Sequence, residues 1–259
     1  MQSQSSTLTK VYGAAIVVII PLIAAAWFFP PDFPMLLRQF LLFIWGIGAT
    51  FVAARLLFRT TWRETTRTLG FIAARRPAVV VALLVSLPMW LFLPLLAWSN
   101  SLPIRLQPNW LTLLIGVVLV NGITEEVIHR SFVFGHLRRD RSFSAAATLS
   151  ALLFAAQHLY LGFSIGWTAG LASVLLAALL AFPLTYLFER GGYSLGGPAI
   201  LHTSSNAPMI ILALPQSFSA TVLLPYMGVV LGSLYLIFAL QRFLAEQPVN
   251  PGQTRVQTV

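Results

Sequence analysis

Apolar residues run along this chain in long blocks, and short polar segments separate them. Each block is longer than a buried strand and close to the roughly 20 residues that cross a bilayer as a helix. Read in order, the blocks predict helices over about 11–29, 36–58, 78–98, from about 110 to the HLRRDR segment, then 143–161, 165–188, 197–214 and 220–240. That pattern predicts an all-α, polytopic membrane bundle with about eight transmembrane helices, since helices satisfy their own backbone groups in lipid. Residues 1–10 are polar and expected to be a disordered N-terminus. Residues 11–241 are expected to form a single transmembrane domain, with a polar tail over 242–259.

Composition removes the soluble classes. The chain is 58% hydrophobic and 9% charged, with a mean hydropathy of +0.82, where a soluble domain carries about a quarter charged residues. No cysteine is present, so disulfide and thiolate chemistry are excluded. A net charge of +9 could suggest nucleic acid as a partner, but the arginines cluster between apolar runs, where topology determinants sit. With eight spans, one side carries Lys10, Arg59, Arg63, Arg67, Arg75, Arg76, Arg138, Arg139, Arg141, Arg190, Arg242 and Arg255. The other side carries Arg105, with Arg38 near a helix end. This bias predicts that both termini are cytoplasmic. The expected location is a bacterial inner membrane, as an integral multi-pass protein. The first apolar run lacks a small-residue cleavage site and reads as a retained helix.

The polar exceptions carry the candidate chemistry. The segment NGITEEVIHR, residues 121–130, places Glu125, Glu126, His129 and Arg130 where a membrane helix should be. Ionisable groups at that depth cost several kcal/mol unless they face a partner or a watery cavity. On an α-helix, residues four apart share a face, which pairs Glu125 with His129 and Glu126 with Arg130. An ion pair between Glu126 and Arg130 leaves Glu125 free for chemistry. A bland alternative puts both carboxylates in one structural charge network. Phe154 and His158 are four apart in the fifth span, and His202 and Asn206 four apart in the seventh. Taken alone, His158 could bond a backbone carbonyl, and the HTSSN segment could be helix-packing glue. Taken together, these residues point to one shared site.

A glutamate near an imidazole and shielded from water is suited to act as a general base. His and Asn on a facing helix suit an oxyanion. No Ser-His-Asp set is evident, since Asp32 and Asp140 lie in loops. The spacing Glu126-Val127-Ile128-His129 matches one half of a di-iron motif, but the second half is missing. The HExxH pattern is absent. A single metal held by Glu125, His158 and His202 stays open on geometry.

Glu125-Glu126-x-x-x-Arg130, Phe154-x-x-x-His158 and His202-x-x-x-Asn206, in this order, resemble the CPBP family of intramembrane proteases. That family includes the CAAX prenyl endopeptidases and the bacterial abortive-infection (Abi) proteins. The resemblance covers roughly residues 105–210. It implies that Glu125 and His158 activate a water and that His202 and Asn206 stabilise the tetrahedral oxyanion. Glu126 and Arg130 would support the site. It implies a glutamate-type endopeptidase that needs no cofactor, with zinc as the alternative. The substrate would be a membrane protein or peptide reaching the site from the bilayer or the cytoplasmic face. His129 stands outside the family pattern and takes no role from it. The rival readings are a non-catalytic membrane immunity or scaffold protein of the same fold, and a proton-coupled transporter using Glu125 and His158 as a relay.

One tension follows from depth. At about 1.5 Å per residue, Glu125 and His202 fall in the cytoplasmic half, whereas His158 falls nearer the far side. The fifth span must start deep, tilt, or have other bounds if the three residues are to meet.

Overall fold

The computed structural model describes residues 2–30, 32–213 and 216–245. The expected tail therefore lies, from residue 246 on, outside the described residues. Helix α1 spans Gln2–Phe28, α2 Met35–Phe58, the short α3 Trp62–Thr68 and α4 Arg76–Ser99. Two composite helices follow, α5 over Trp110–Leu137 and α6 over Phe143–Ser164. Then come α7, Trp167–Arg190, α8, Gly196–Ile211, α9, Gln216–Ala239, and a short α10, Gln241–Ala245. Helix α1 is helical from Gln2, through residues expected to be disordered, because Leu8 and Val11 pack on the core and anchor its first turns.

Seven of these helices are long and apolar enough to cross a membrane. The eighth expected span is α8, whose 16 residues rise about 24 Å, short of a hydrocarbon core of about 30 Å. Loop contacts fix the alternation. At one end, Leu195 N donates to Gly70 O over 3.1 Å, Arg75 N to Gly191 O over 3.4 Å, and Arg138 Nε meets Glu189 Oε2 at 2.9 Å. At the other end, Gln107 N donates to Ile211 O over 2.8 Å and Ala213 N to Arg105 O over 2.9 Å. Helix α8 thus starts at the end that carries the basic 59–76 segment and finishes at the opposite end.

Among the described residues the bundle has two large apolar clusters and a small third one of Ala151, Phe154, Ala177 and Ala181 between α6 and α7. One large cluster joins α1, α2, α5 and α6 through Val11, Ala15, Ala54, Val127, Phe132 and Ala147. The other joins α4, α7, α8 and α9 through Val85, Met89, Leu184, Leu201, Tyr226 and Val230. Outward faces carry exposed Val17, Ile44, Leu56, Leu84 and Leu175, the surface that lipid rather than water solvates. The polar residues fall on the seam between the clusters, where α5 packs on α8.

Helix α8 is held from several sides. Pro208 has no N–H, so it leaves the carbonyl of Ser204 without its helical donor. Tyr226 Oη on α9 approaches that carbonyl at 3.3 Å and the Ser205 carbonyl at 3.1 Å. Trp90 Nε1 on α4 donates to Ser204 Oγ over 3.0 Å. Gly122 of α5 lies so close to α8 that a Cβ there would collide with Thr203 Oγ1. A small residue lets the two backbones approach, as membrane helix packing requires.

Candidate active site

Helix α5 departs from the expected α-helix. After a regular first section, Val117–Glu125 and Val127–Phe134 form wider π-helical turns closed by i→i+5 bonds. Thr124 Oγ1 follows the same spacing, donating to Leu119 O over 2.9 Å. Such turns are rare and concentrate at functional sites. Only one of the two expected i, i+4 pairs forms. Glu126 Oε2 and Arg130 Nε stand 3.2 Å apart with both side chains fully buried. Glu125 and His129 diverge. Glu125 turns to a cavity, and His129 is buried against α6.

The ion pair is electrostatic rather than a bidentate hydrogen bond, since no Arg130 nitrogen is aligned with an acceptor among the described residues. The guanidinium lies over the Phe154 ring, 4.3 Å from its centroid, so the aromatic face supplies the remaining stabilisation. The other Glu126 oxygen, Oε1, accepts from His202 Nδ1 over 2.7 Å. That bond fixes which nitrogen of a neutral His202 carries the proton. His202 Nε2 then faces Glu125 Oε2 at 3.5 Å. Two lone pairs cannot face each other, so this contact requires one proton, or a water, between the imidazole and the carboxylate. Arg130, Glu126, His202 and Glu125 form one chain running from a buried cation to the cavity.

That cavity measures about 430 Å³ and is lined by Glu125, His158, His202 and Asn206 together with Asn121, Gln157 and Tyr160. The structure thus brings the four expected catalytic side chains to one space, with Glu126 and Arg130 behind them. The depth tension is resolved within α6. Its regular α section ends at Gln157 and tightens to a 3₁₀ turn over His158–Tyr160. Ser150 Oγ donates to His129 O over 2.7 Å, which seats α6 against α5 beside the site. The His158 ring folds back so that Nδ1 donates to Phe154 O over 2.8 Å, pointing the imidazole along its helix toward the level of Glu125.

Asn206 has a different setting from the one expected. Its amide nitrogen donates to His202 O over 3.1 Å and to Ser205 Oγ over 3.3 Å. Asn206 Nδ2 therefore has two protein acceptors within hydrogen-bond distance. The sequence reading missed Asn121, Gln157, Tyr160, Arg38 and Gln39 as cavity residues. Helical spacing held the signal for two of them. Asn121 is four before Glu125 and reaches Glu125 Oε1 at 3.5 Å, and Gln157 shares the face of Phe154 and His158.

Among the described residues, no three His, Asp or Glu side chains gather closely enough to hold an ion. His158 Nδ1 and His202 Nδ1 are tied to Phe154 O and Glu126.

No curated protein and no solved structure matches the chain. The segment that holds the site does match a family: residues 107–208 fit type II CAAX prenyl endopeptidase Rce1-like, which bears out the resemblance carried by the three motifs.

Proposed function

We propose that this membrane protein is an intramembrane endopeptidase that hydrolyses a peptide bond in a membrane-associated protein or peptide with a glutamate-activated water. The observation that carries this reading is the convergence of Glu125, His158, His202 and Asn206 on one cavity inside the bundle. A water held between Glu125 and His158 gives its proton to Glu125 as its oxygen attacks the carbonyl carbon. The carbonyl π electrons move to oxygen, and donors in the cavity stabilise that oxyanion. Collapse breaks the C–N bond, and the proton on Glu125 passes to the departing amine. His202, anchored by Glu126, holds Glu125 in place. Arg130 balances the Glu126 charge, so the anchor adds no net charge at depth. The family match supports a CAAX-type endopeptidase. The arginine bias supports cytoplasmic termini.

The test has two steps. Membrane proteomics with and without active protein identifies peptides that are cleaved, and purified protein in detergent then cleaves them. Glu125→Gln keeps the side-chain size but takes no proton, so hydrolysis falls to background while fold and substrate binding persist. A well-folded Glu125→Gln variant with full activity would sink the glutamate mechanism. A chelator leaves cleavage unchanged on this reading. Under the scaffold rival no cleavage is seen, and under the transporter rival substrate moves unchanged.

A further inference from the structure

His129 and Gln157 are two polar residues beside the site that no motif explains. Gln157 closes the regular section of α6, on the face shared by Phe154 and His158, and it lines the cavity. His129 is fully buried. Its Nε2 lies 2.8 Å from Gln157 Oε1. A carbonyl oxygen only accepts, so His129 Nε2 carries the proton and donates. The Phe154 ring, 4.7 Å away between centroids, packs against the imidazole. With its oxygen held by His129, the Gln157 amide presents its NH₂ on the opposite arm. That NH₂ has no hydrogen bond among the described residues, although the side chain faces the cavity.

The donors expected from the motifs are already engaged. Asn206 Nδ2 already has two protein acceptors, and His202 Nδ1 is committed to Glu126. A peptide carbonyl entering this cavity needs donors that are fixed and free before it arrives, since pre-organised donors cost no reorganisation during the reaction. The Gln157 amide meets both conditions.

We propose that Gln157 is a further catalytic residue, donating from Nε2 to the substrate carbonyl oxygen as it becomes the oxyanion, and that His129 is the positioning residue that fixes its amide. The inference rests on the endopeptidase reading. In the reaction, water gives a proton to Glu125, the new C–O bond forms, and the displaced electron pair on oxygen receives the Gln157 hydrogen bond. When the C–N bond breaks, that pair re-forms the carbonyl and Gln157 releases it.

The experiment uses the full chain in detergent and a pool of quenched-fluorescence apolar peptides. Gln157→Met keeps length and volume but has no donor; kcat is expected to fall about 10²-fold with KM nearly unchanged. Gln157→Glu serves as a second variant, since it still accepts from His129 yet offers no N–H, and it should match Gln157→Met. His129→Phe keeps the ring against Phe154 but frees the amide to rotate, lowering kcat by roughly tenfold or more. The double variant should be no slower than Gln157→Met alone, a non-additivity that a merely structural His129 would not produce. Unchanged kcat in folded Gln157 variants overturns the inference while the endopeptidase reading stands, and additive losses overturn the role of His129. A folded wild-type chain that cleaves nothing removes the endopeptidase reading and the inference with it.

Discussion

Glu126 shows how a charge is held at bilayer depth. It is fully buried, with one oxygen toward a guanidinium and the other on an imidazole. Removing one partner of a buried pair typically costs about 3–5 kcal/mol, because the other charge stays behind. Arg130→Ala should therefore lower both the folded yield and the thermal midpoint in detergent, and activity with them. The loss has a second source, since the guanidinium also covers the Phe154 ring. Pairing Arg130→Gln with Glu126→Gln removes both charges at once, and the amide that replaces the Glu126 carboxylate can still accept from His202 through its carbonyl oxygen. Part of the lost midpoint should return. If the double variant melts no higher than Arg130→Ala, the two residues are not coupled.

At the scale of the element, α5 decides which side chains meet. Its residue types and their order were legible in the sequence, as were the apolar spans and the ion pair of Glu126 with Arg130. The wide turns were not, because a 3.6-residue template scores NGITEEVIHR well and nothing in that string marks an i→i+5 bond. A count from residue 143 puts His158 nearer the far side, yet it lines the same cavity as Glu125. Close packing is also written in α5. Gly122 has no room for a methyl group, which would meet Thr203 Oγ1 and the Ala199 carbonyl. Backbone at the second contact cannot rotate away, so α5 and α8 must separate. Gly122→Ala should thus move His202 from Glu125 and Glu126, lowering kcat as well as stability, since overpacking typically costs about 1–3 kcal/mol. Wild-type kcat in the folded fraction of this variant would show that the α5–α8 spacing does not set the site.

At the scale of the whole molecule, the cavity has a direction. It runs from mid-depth residues Glu125, Leu180 and His202 toward Arg38 and Gln39 at the start of α2, and toward Tyr160 and Leu161 at the end of α6. Those helix ends adjoin loops 29–34 and 165–166, opposite the basic 59–76 segment. A substrate would therefore reach Glu125 from that side or laterally from the bilayer, rather than from the end that carries the basic segment. Arg38 is the one cation among the lining residues and has no ion-pair partner among the described residues, so that mouth favours an anionic group. The native chain has no cysteine, which makes single-cysteine labelling clean. Ser173 lines the cavity on α7 and Ser142 caps α6 at the basic end. In intact cells, a charged, membrane-impermeant thiol reagent should modify Ser173→Cys and should modify Ser142→Cys only after the membrane is opened. The reverse pattern would place the basic segment outside and overturn the cytoplasmic assignment of both termini. Labelling of neither cysteine in intact cells, with both labelled once the membrane is opened, would mean that the cavity is reached from the cytoplasmic face after all.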